Sequence, residues 1–310
     1  MNAIAESRNT SAEIRDLPLP QFEQLELRFD ADSGVMWHFM KPKARPVFNL
    51  DLLTELRAFH GNIVERRGQV WENGEQHQIS YLVLGSRVPG VYNLGGDLSL
   101  FRAAITSGDR TGLVAYGRRC IDNMYPWSRN LDLPLTTMAL VEGDALGGGF
   151  ECALSASVLV AEESARMGFP EVLFNLFPGM GAYSFLSRKI GRRSTEELIT
   201  SGNIYTARQL YDLGVVDVLA PDGAGEAAVH SFIRKHSKAG NGRRALELVR
   251  REVEPVTYEE LIRVVEIWAD AALRLTDRDL RMMDRLVRAQ SKNAELELVA
   301  SNVMPLQRIA

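Results

Sequence analysis

Residues 136–171 read TTMALVEGDALGGGFECALSASVLVAEESARMGFPE, and the fold turns on them. The apolar run Thr137–Val141 predicts a buried strand. Gly143, Gly147, Gly148 and Gly149 follow, placing backbone without side chains where a ligand can approach. From Phe150 the apolar positions Ala153, Leu154 and Ser157 recur at helical spacing, and Val158–Ala161 predicts a second strand. Glu151 therefore falls just inside a helix N-terminus, and Glu171 lies beyond the next strand. A helix start offers N–H groups without intrahelical acceptors and the positive end of a dipole. Such a place stabilises a developing oxyanion, with a carboxylate beside it for proton transfer. The same pattern also serves a tight turn with close packing and a glutamate that merely complements the dipole.

The whole chain sets wider bounds. At 310 residues, with 45% hydrophobic and 25% charged residues, it has the composition of a soluble globular protein. A net charge of −4 argues against a nucleic-acid binder. Two cysteines, Cys120 and Cys152, give neither a disulfide framework nor a metal-ligand spacing, and packed thiols are the expectation. No stretch has the length and apolarity of a signal peptide core or a membrane span, so the expected location is the cytoplasm, with no membrane insertion.

Taken in order, residues 1–20 are polar and end in Leu-Pro-Leu-Pro, which predicts a flexible tail. Phe22–Phe29 and Val35–Met40 read as a hairpin across Asp30–Gly34. Asn49 is the expected N-cap of a helix over Leu50–Arg66, with Leu53, Leu56, Ile63 and Val64 inward. Ile79–Gly85 is a buried strand, and VYNLGGDLSLF (91–101) is the loop after it. Helices are expected over Phe101–Ile105 and Leu113–Tyr125. Beyond Gly223 the chain reads as helical, over Glu226–His236, Arg243–Val253, Tyr258–Leu275 and Asp277–Asn293. Apolar stripes are expected at Leu261, Val264, Val265 and Trp268, and at Leu280, Met283 and Leu286. The organisation expected is thus a tail (1–20), a core (21–222) and a C-terminal helical region (223–310).

VEGDALGGGFECAL (141–154) and FPEVLFNLFPGMGAYSFLSRKIG (169–191) resemble the signature of the crotonase (enoyl-CoA hydratase/isomerase) superfamily. The resemblance extends from about Val35 to about Leu219. It implies an α/β fold, a crotonase-like β-β-α spiral core with a C-terminal helical region. It also implies oxyanion-hole N–H donors at Gly96 and Gly148, and Glu151 and Glu171 as the proton-transfer pair, with their individual roles open. By the same resemblance Lys43 and Arg45 are candidates to meet the phosphate of a carrier. Within the superfamily, VYNLGGDLSLF, Phe150 and the run before Pro178-Gly179 resemble the diffusible-signal-factor synthases of quorum-sensing bacteria. Those enzymes dehydrate a 3-hydroxyacyl group on acyl carrier protein to a cis-2-enoyl thioester and then hydrolyse it. That resemblance implies Met180, Trp268 and Leu286 as acyl-pocket residues, C-terminal helices that cover the pocket or pack a homotrimer, and neither metal nor cofactor beyond the thioester's own carrier. It also leaves open an ordinary enoyl-CoA hydratase or a partner of a signal sensor.

Overall fold

The computed structural model describes residues 19–72, 74–236 and 240–291. The expected tail at 1–20 therefore lies almost wholly outside the described residues, as does the end of the last helix, which is described over Asp277–Ser291.

Two sheets organise the chain. The larger holds β1 (Leu25–Asp30), β2 (Val35–Met40), β5 (Tyr81–Ser86), β7 (Thr136–Val141), β9 (Val158–Glu162) and β12 (Val218–Ala220), in that spatial order. Only β1 runs against its neighbour; β2, β5, β7, β9 and β12 are parallel. The smaller holds β6 (Val91–Asn93), β8 (Asp144–Leu146), β10 (Arg166–Gly168) and β11 (Ile204–Thr206), in the order β11-β10-β8-β6. A polar hairpin, β3 (Gln69–Glu72) with β4 (Glu75–Gln78), stands apart.

Three successive turns of chain repeat one plan. Each gives a strand to the large sheet, a strand to the small sheet and then helix: β5, β6 and Leu98–Ser107; β7, β8 and Gly148–Leu154; β9, β10 and, after a 3-10 turn, Ala182–Ser201. This is the crotonase-like β-β-α spiral, and among the described residues four helices follow it from Gly225 onward.

The central strands are apolar continuously, as parallel strands covered on both faces must be. Val35, Trp37, Phe39, Val83, Met138, Leu140, Val158 and Val160 pack beneath the helix Gly225–His236. The alternate residues Met36, Met40, Leu82, Leu84, Ala139, Val141, Leu159 and Ala161 face the main core. There the helix Leu50–Glu65 is capped as expected by Asn49, whose side chain accepts from Leu52 N. Leu53, Leu56 and Ile63 are buried, but Val64 is 44% exposed. It lies in the last turn, at the edge of the buried face, and Phe59 and His60 are buried on that face as well.

The C-terminal helices join the same core. Leu261, Val265, Trp268, Leu280 and Met283 belong to the main apolar cluster, whereas Val264 is only half-buried. At Gly117 in the helix Arg110–Ser128, an added Cβ would collide with Val265 of the helix Tyr258–Ala272. That contact sets how closely the two helices approach. Among the described residues no helix is long and apolar enough to cross a membrane.

Candidate active site

β6 delivers the first glycine segment, and the following loop is tied at several points. Asn93 Oδ1 accepts from Gly95 N at 2.8 Å, and Gly95 O accepts from Phe48 N at 2.8 Å. Asp97 caps the helix Leu98–Ser107 and receives both its oxygens' contacts from the Arg45 guanidinium at 2.9 Å. A second Arg45 nitrogen donates to Ser99 Oγ at 2.8 Å. Arg45 thus holds the loop that presents Gly96. Lys43, by contrast, is exposed and pairs with the exposed Glu23.

β8 delivers the second segment. Gly147 has a φ of 52°, and a Cβ there would collide with Glu171 Oε1, so both conformation and space demand glycine. Gly148 opens the helix Gly148–Leu154, and its N–H lies in the first turn, where no intrahelical carbonyl can accept it. The two segments meet: a Cβ on Gly148 would sit 3.4 Å from Gly96 N and 3.4 Å from Gly95 Cα. Gly96 and Gly148, far apart in sequence, therefore border one small space.

Glu151 points into that space from the first helical turn. It is 1% exposed, and its Oε1 accepts from Met180 N at 2.8 Å and Ala182 N at 3.0 Å. So the Pro178–Ala182 stretch orients a carboxylate, and Met180 serves through its backbone as well as its side chain. Glu171 stands on the 3-10 turn Pro170–Phe174. The residue is half-buried, but its Oε2 is sealed from solvent and has no hydrogen-bond partner. An ion pair between Arg166 and Asp144, two contacts at 2.9 Å, clamps β10 to β8 and fixes the strands leading to the two glutamates.

Burial raises both acids. Glu151 is pushed up to about 7 by desolvation, against the pull of its two N–H donors. Glu171 is pushed up to about 8 by desolvation and then by the Glu151 charge. Near neutral pH burial therefore favours a proton held within the pair, and Glu171, whose Oε2 has no partner, is the more strongly raised of the two.

An apolar cavity opens from this space. Gly96, Gly147, Gly148, Glu151 and Glu171 line one part of it. Met180, Trp268 and Leu286 line it too, so the helices Tyr258–Ala272 and Asp277–Ser291 contribute one residue each. Much of the rest comes from two helices that the sequence marked as helices but not as cavity walls: Leu53, Leu56 and His60 from one, Tyr116, Cys120, Asn123, Met124 and Trp127 from the other. Their signal was present as helical spacing, 53-56-60 and 116-120-123-127. Both cysteines are buried, and burial pushes each thiol up, so they are packed groups rather than nucleophiles.

Residues 47–277 match the family described as Enoyl-CoA hydratase/isomerase. The chain belongs to that family. It is 27% identical over 258 residues to “Probable enoyl-CoA hydratase 2, mitochondrial” of Arabidopsis thaliana, covering 78% of this chain and 79% of that protein. It is 33% identical over 152 residues to the human mitochondrial methylglutaconyl-CoA hydratase, covering 49% of this chain and 43% of that protein. It spans only 22% of the fatty acid oxidation complex subunit alpha of Vibrio cholerae. In fold it is similar to human mitochondrial delta3-delta2-enoyl-CoA isomerase, with a TM-score of 0.70 at 15% identity over 88% of this chain and 100% of that one. It is also similar to Pseudomonas aeruginosa DspI, with a TM-score of 0.62 at 20% identity over 76% of this chain and 90% of that one. As a member of this family the chain has the fold of an enoyl-CoA hydratase/isomerase, and Glu151 and Glu171 both line the cavity that Gly96, Gly147 and Gly148 border.

Proposed function

We propose that this chain is a diffusible-signal-factor synthase. It dehydrates a 3-hydroxyacyl group held on acyl carrier protein to the cis-2-enoyl thioester, then hydrolyses the thioester to release the free unsaturated acid. The observation that carries this reading is the pair of buried glutamates, both raised by burial, beside two glycine segments at an apolar cavity. The sequence motifs around Asn93–Phe101 and Phe169–Leu186 supply the narrower likeness to the synthases.

The chemistry follows from where the proton rests. In the first step the thioester oxygen takes the N–H groups of Gly96 and Gly148, and each such donor contributes roughly 3–4 kcal/mol to an oxyanion-like transition state. Ionised Glu151 removes a C2 proton, and Glu171 gives its proton to the departing C3 hydroxyl, which leaves as water. The glutamates have now exchanged states. Glu171 takes a proton from a water that attacks the thioester carbon, and the same two N–H groups hold the tetrahedral oxyanion. The carbon–sulfur bond breaks, Glu151 protonates the leaving thiolate, and the starting state returns. The acyl chain lies in the cavity against Met180, Trp268 and Leu286. Lys43 is the candidate for the carrier's phosphate, Arg45 being engaged with Asp97.

An ordinary enoyl-CoA hydratase is the second reading, favoured by the names of the relatives. Mass spectrometry of products from the purified protein, fed 3-hydroxyacyl carrier protein and the matching CoA thioester in parallel, separates the two. Free cis-2-enoic acid from the carrier-protein substrate supports the synthase. An enoyl thioester in equilibrium with its hydrate, with no free acid, supports the hydratase. Turnover of neither supports a binding role toward a signal sensor. The exposed Leu246, Leu248, Val249 and Val253 of the helix Gly240–Val253 offer a surface for the homotrimer the family resemblance implies.

A further inference from the structure

Glu151 is seated from outside its own helix. Its Oε1 accepts from Met180 N at 2.8 Å and from Ala182 N at 3.0 Å. Each of these N–H groups belongs to a peptide whose other residue is a glycine, Gly179 for the first and Gly181 for the second. Both glycines are pressed by the helix Tyr258–Ala272. The place that a Cβ on Gly179 would take is filled by Cβ, Cγ and Cδ1 of Trp268. At Gly181, where φ is 122°, the same place lies 3.5 Å from Leu261 Cδ2 and closer still to the Phe185 ring. Leu261 and Trp268 are both buried and stand about two turns apart, so one face of the helix bears on both glycines.

That helix is fixed on two sides. Arg188, on the helix that begins at Ala182, donates to the two Glu260 oxygens at 3.0 and 2.9 Å and to Pro255 O at 2.6 Å. Opposite, Tyr258 donates to Asp122 Oδ1 at 2.8 Å, and Val265 fills the place of a Cβ on Gly117. The stretch Pro178–Ala182 is therefore held between a fixed helix and the carboxylate it orients. An N–H that cannot swing away keeps its bond to an ionised acceptor, and such bonds are the strong ones.

We propose that Trp268 is a positioning residue for Glu151: its indole, seated on Gly179, holds the Met180 N–H against the carboxylate. Leu261 supports the Ala182 N–H in the same way through Gly181. The ring that borders the cavity also bears on the peptide that aims the carboxylate, so acyl wall and proton-transfer group form one packed unit. The part of Glu151 in proton transfer is the reading given above, on which this assignment rests. How its carboxylate is held is a property of the resting protein, and it can be measured without turnover.

The test reads Glu151 itself, by NMR titration of the intact protein carrying isotope-labelled glutamate, with the signal assigned by its loss in Glu151→Gln. The titratable groups that feel the Glu151 charge, Glu171, Cys120 and Cys152 among the described residues, lie neither on the orienting stretch nor on the helix Tyr258–Ala272. Trp268→Ala takes Cγ and Cδ1 away from Gly179. It is expected to raise the Glu151 midpoint by about one pH unit, because a weakened N–H donor no longer favours the ionised form. Trp268→Phe keeps Cβ, Cγ and Cδ1 on Gly179 and is expected to hold the wild-type midpoint, although it alters the cavity wall. Gly179→Ala, whose methyl group meets the ring, is expected to raise the midpoint as Trp268→Ala does, and it carries the test where the void left by Trp268→Ala prevents folding. A midpoint that stays or falls in either folded variant would overturn the assignment, a fall being the mark of water admitted beside a residue that only packs. So would a rise that Trp268→Phe shares in full. Wild-type protein that turns over no thioester would overturn the dehydration reading instead, and the titration would still decide how Glu151 is seated.

Discussion

The two ends of the cavity bury polar groups in opposite ways. At the glycine end two carboxylates are driven upward by burial, Glu151 to about 7 and Glu171 to about 8. At the inner end burial drives two histidines downward, His60 to about 3 and His38, which packs against it, well below its usual range. Low polarity penalises whichever form is charged, so acids gain protons and bases lose them. The glycine end keeps a mobile proton within reach of a substrate. The inner end is held neutral over the same pH range. One apolar cavity thus separates a reactive end from an inert one.

The largest expected effect lies at the reactive end. Replacing either Glu151 or Glu171 with Gln should lower dehydration by about two to four orders of magnitude with the fold intact. Steady-state rates beside circular dichroism melting check this, and near wild-type turnover by Glu171→Gln would remove the paired-carboxylate mechanism.

Gly148→Val comes next. Its side chain would stand beside Gly96 N, where the thioester oxygen belongs, so turnover should fall about a hundredfold or more while the melting temperature moves less. The neighbouring Gly149→Ala should show the reverse, since a Cβ there collides with Asn93 O, and its loss should appear chiefly as lost stability. Equal losses of folding and activity at Gly148 would make it a packing glycine.

Trp268→Ala probes the wall between the two ends. Trp268 is 2% exposed, crosses Phe101 edge-on at 5.1 Å and lies against Gly179. The substitution should cost about 3–5 kcal/mol of stability and also shift the lengths of acyl chain accepted. Melting curves and product profiles on the same variant check both, and an unchanged profile would make Trp268 core alone.

A further effect is on stability against pH. Because Glu151 and Glu171 bind protons more tightly when folded, their favourable contribution is full below about 4.5 and is lost as pH rises through 7 and 8. The buried histidines act oppositely: their contribution is present above about 6.5 and is lost as pH falls toward 3. Chemical denaturation across this range should give a maximum between the two limbs. The double substitution Glu151→Gln and Glu171→Gln should flatten the alkaline limb and leave the acid one.

How much of this was legible in the sequence differs between the ends in the same way. The reactive end is written in short range: clustered glycines, a glutamate in the first helical turn and an apolar run on either side. β2 begins and ends where alternation placed it, and β7 and β9 differ from their expected bounds by one residue. The inner end depends on helices that meet only in the fold. His60 reads as a polar residue on a helix, and nothing local says that it will face Trp127, far along the chain. The hairpin Gln69–Glu72 with Glu75–Gln78 escaped because its residues are mostly polar and carry no strand pattern. Val64 was misplaced because its phase and apolar identity both suggested burial, whereas the last turn of the helix lies at the edge of the core. The helix Arg110–Ser128 was legible as a helix, but which of its faces borders the cavity was not.

One measurement tests the shared proton most directly: the pH dependence of kcat/KM for a 3-hydroxyacyl carrier-protein substrate. If the pair must hold one proton, activity should follow a bell with limbs near 7 and 8, falling below as both glutamates protonate and above as both ionise. A profile that stays flat from well below 7 to well above 8 would contradict a mechanism run by Glu151 and Glu171 together.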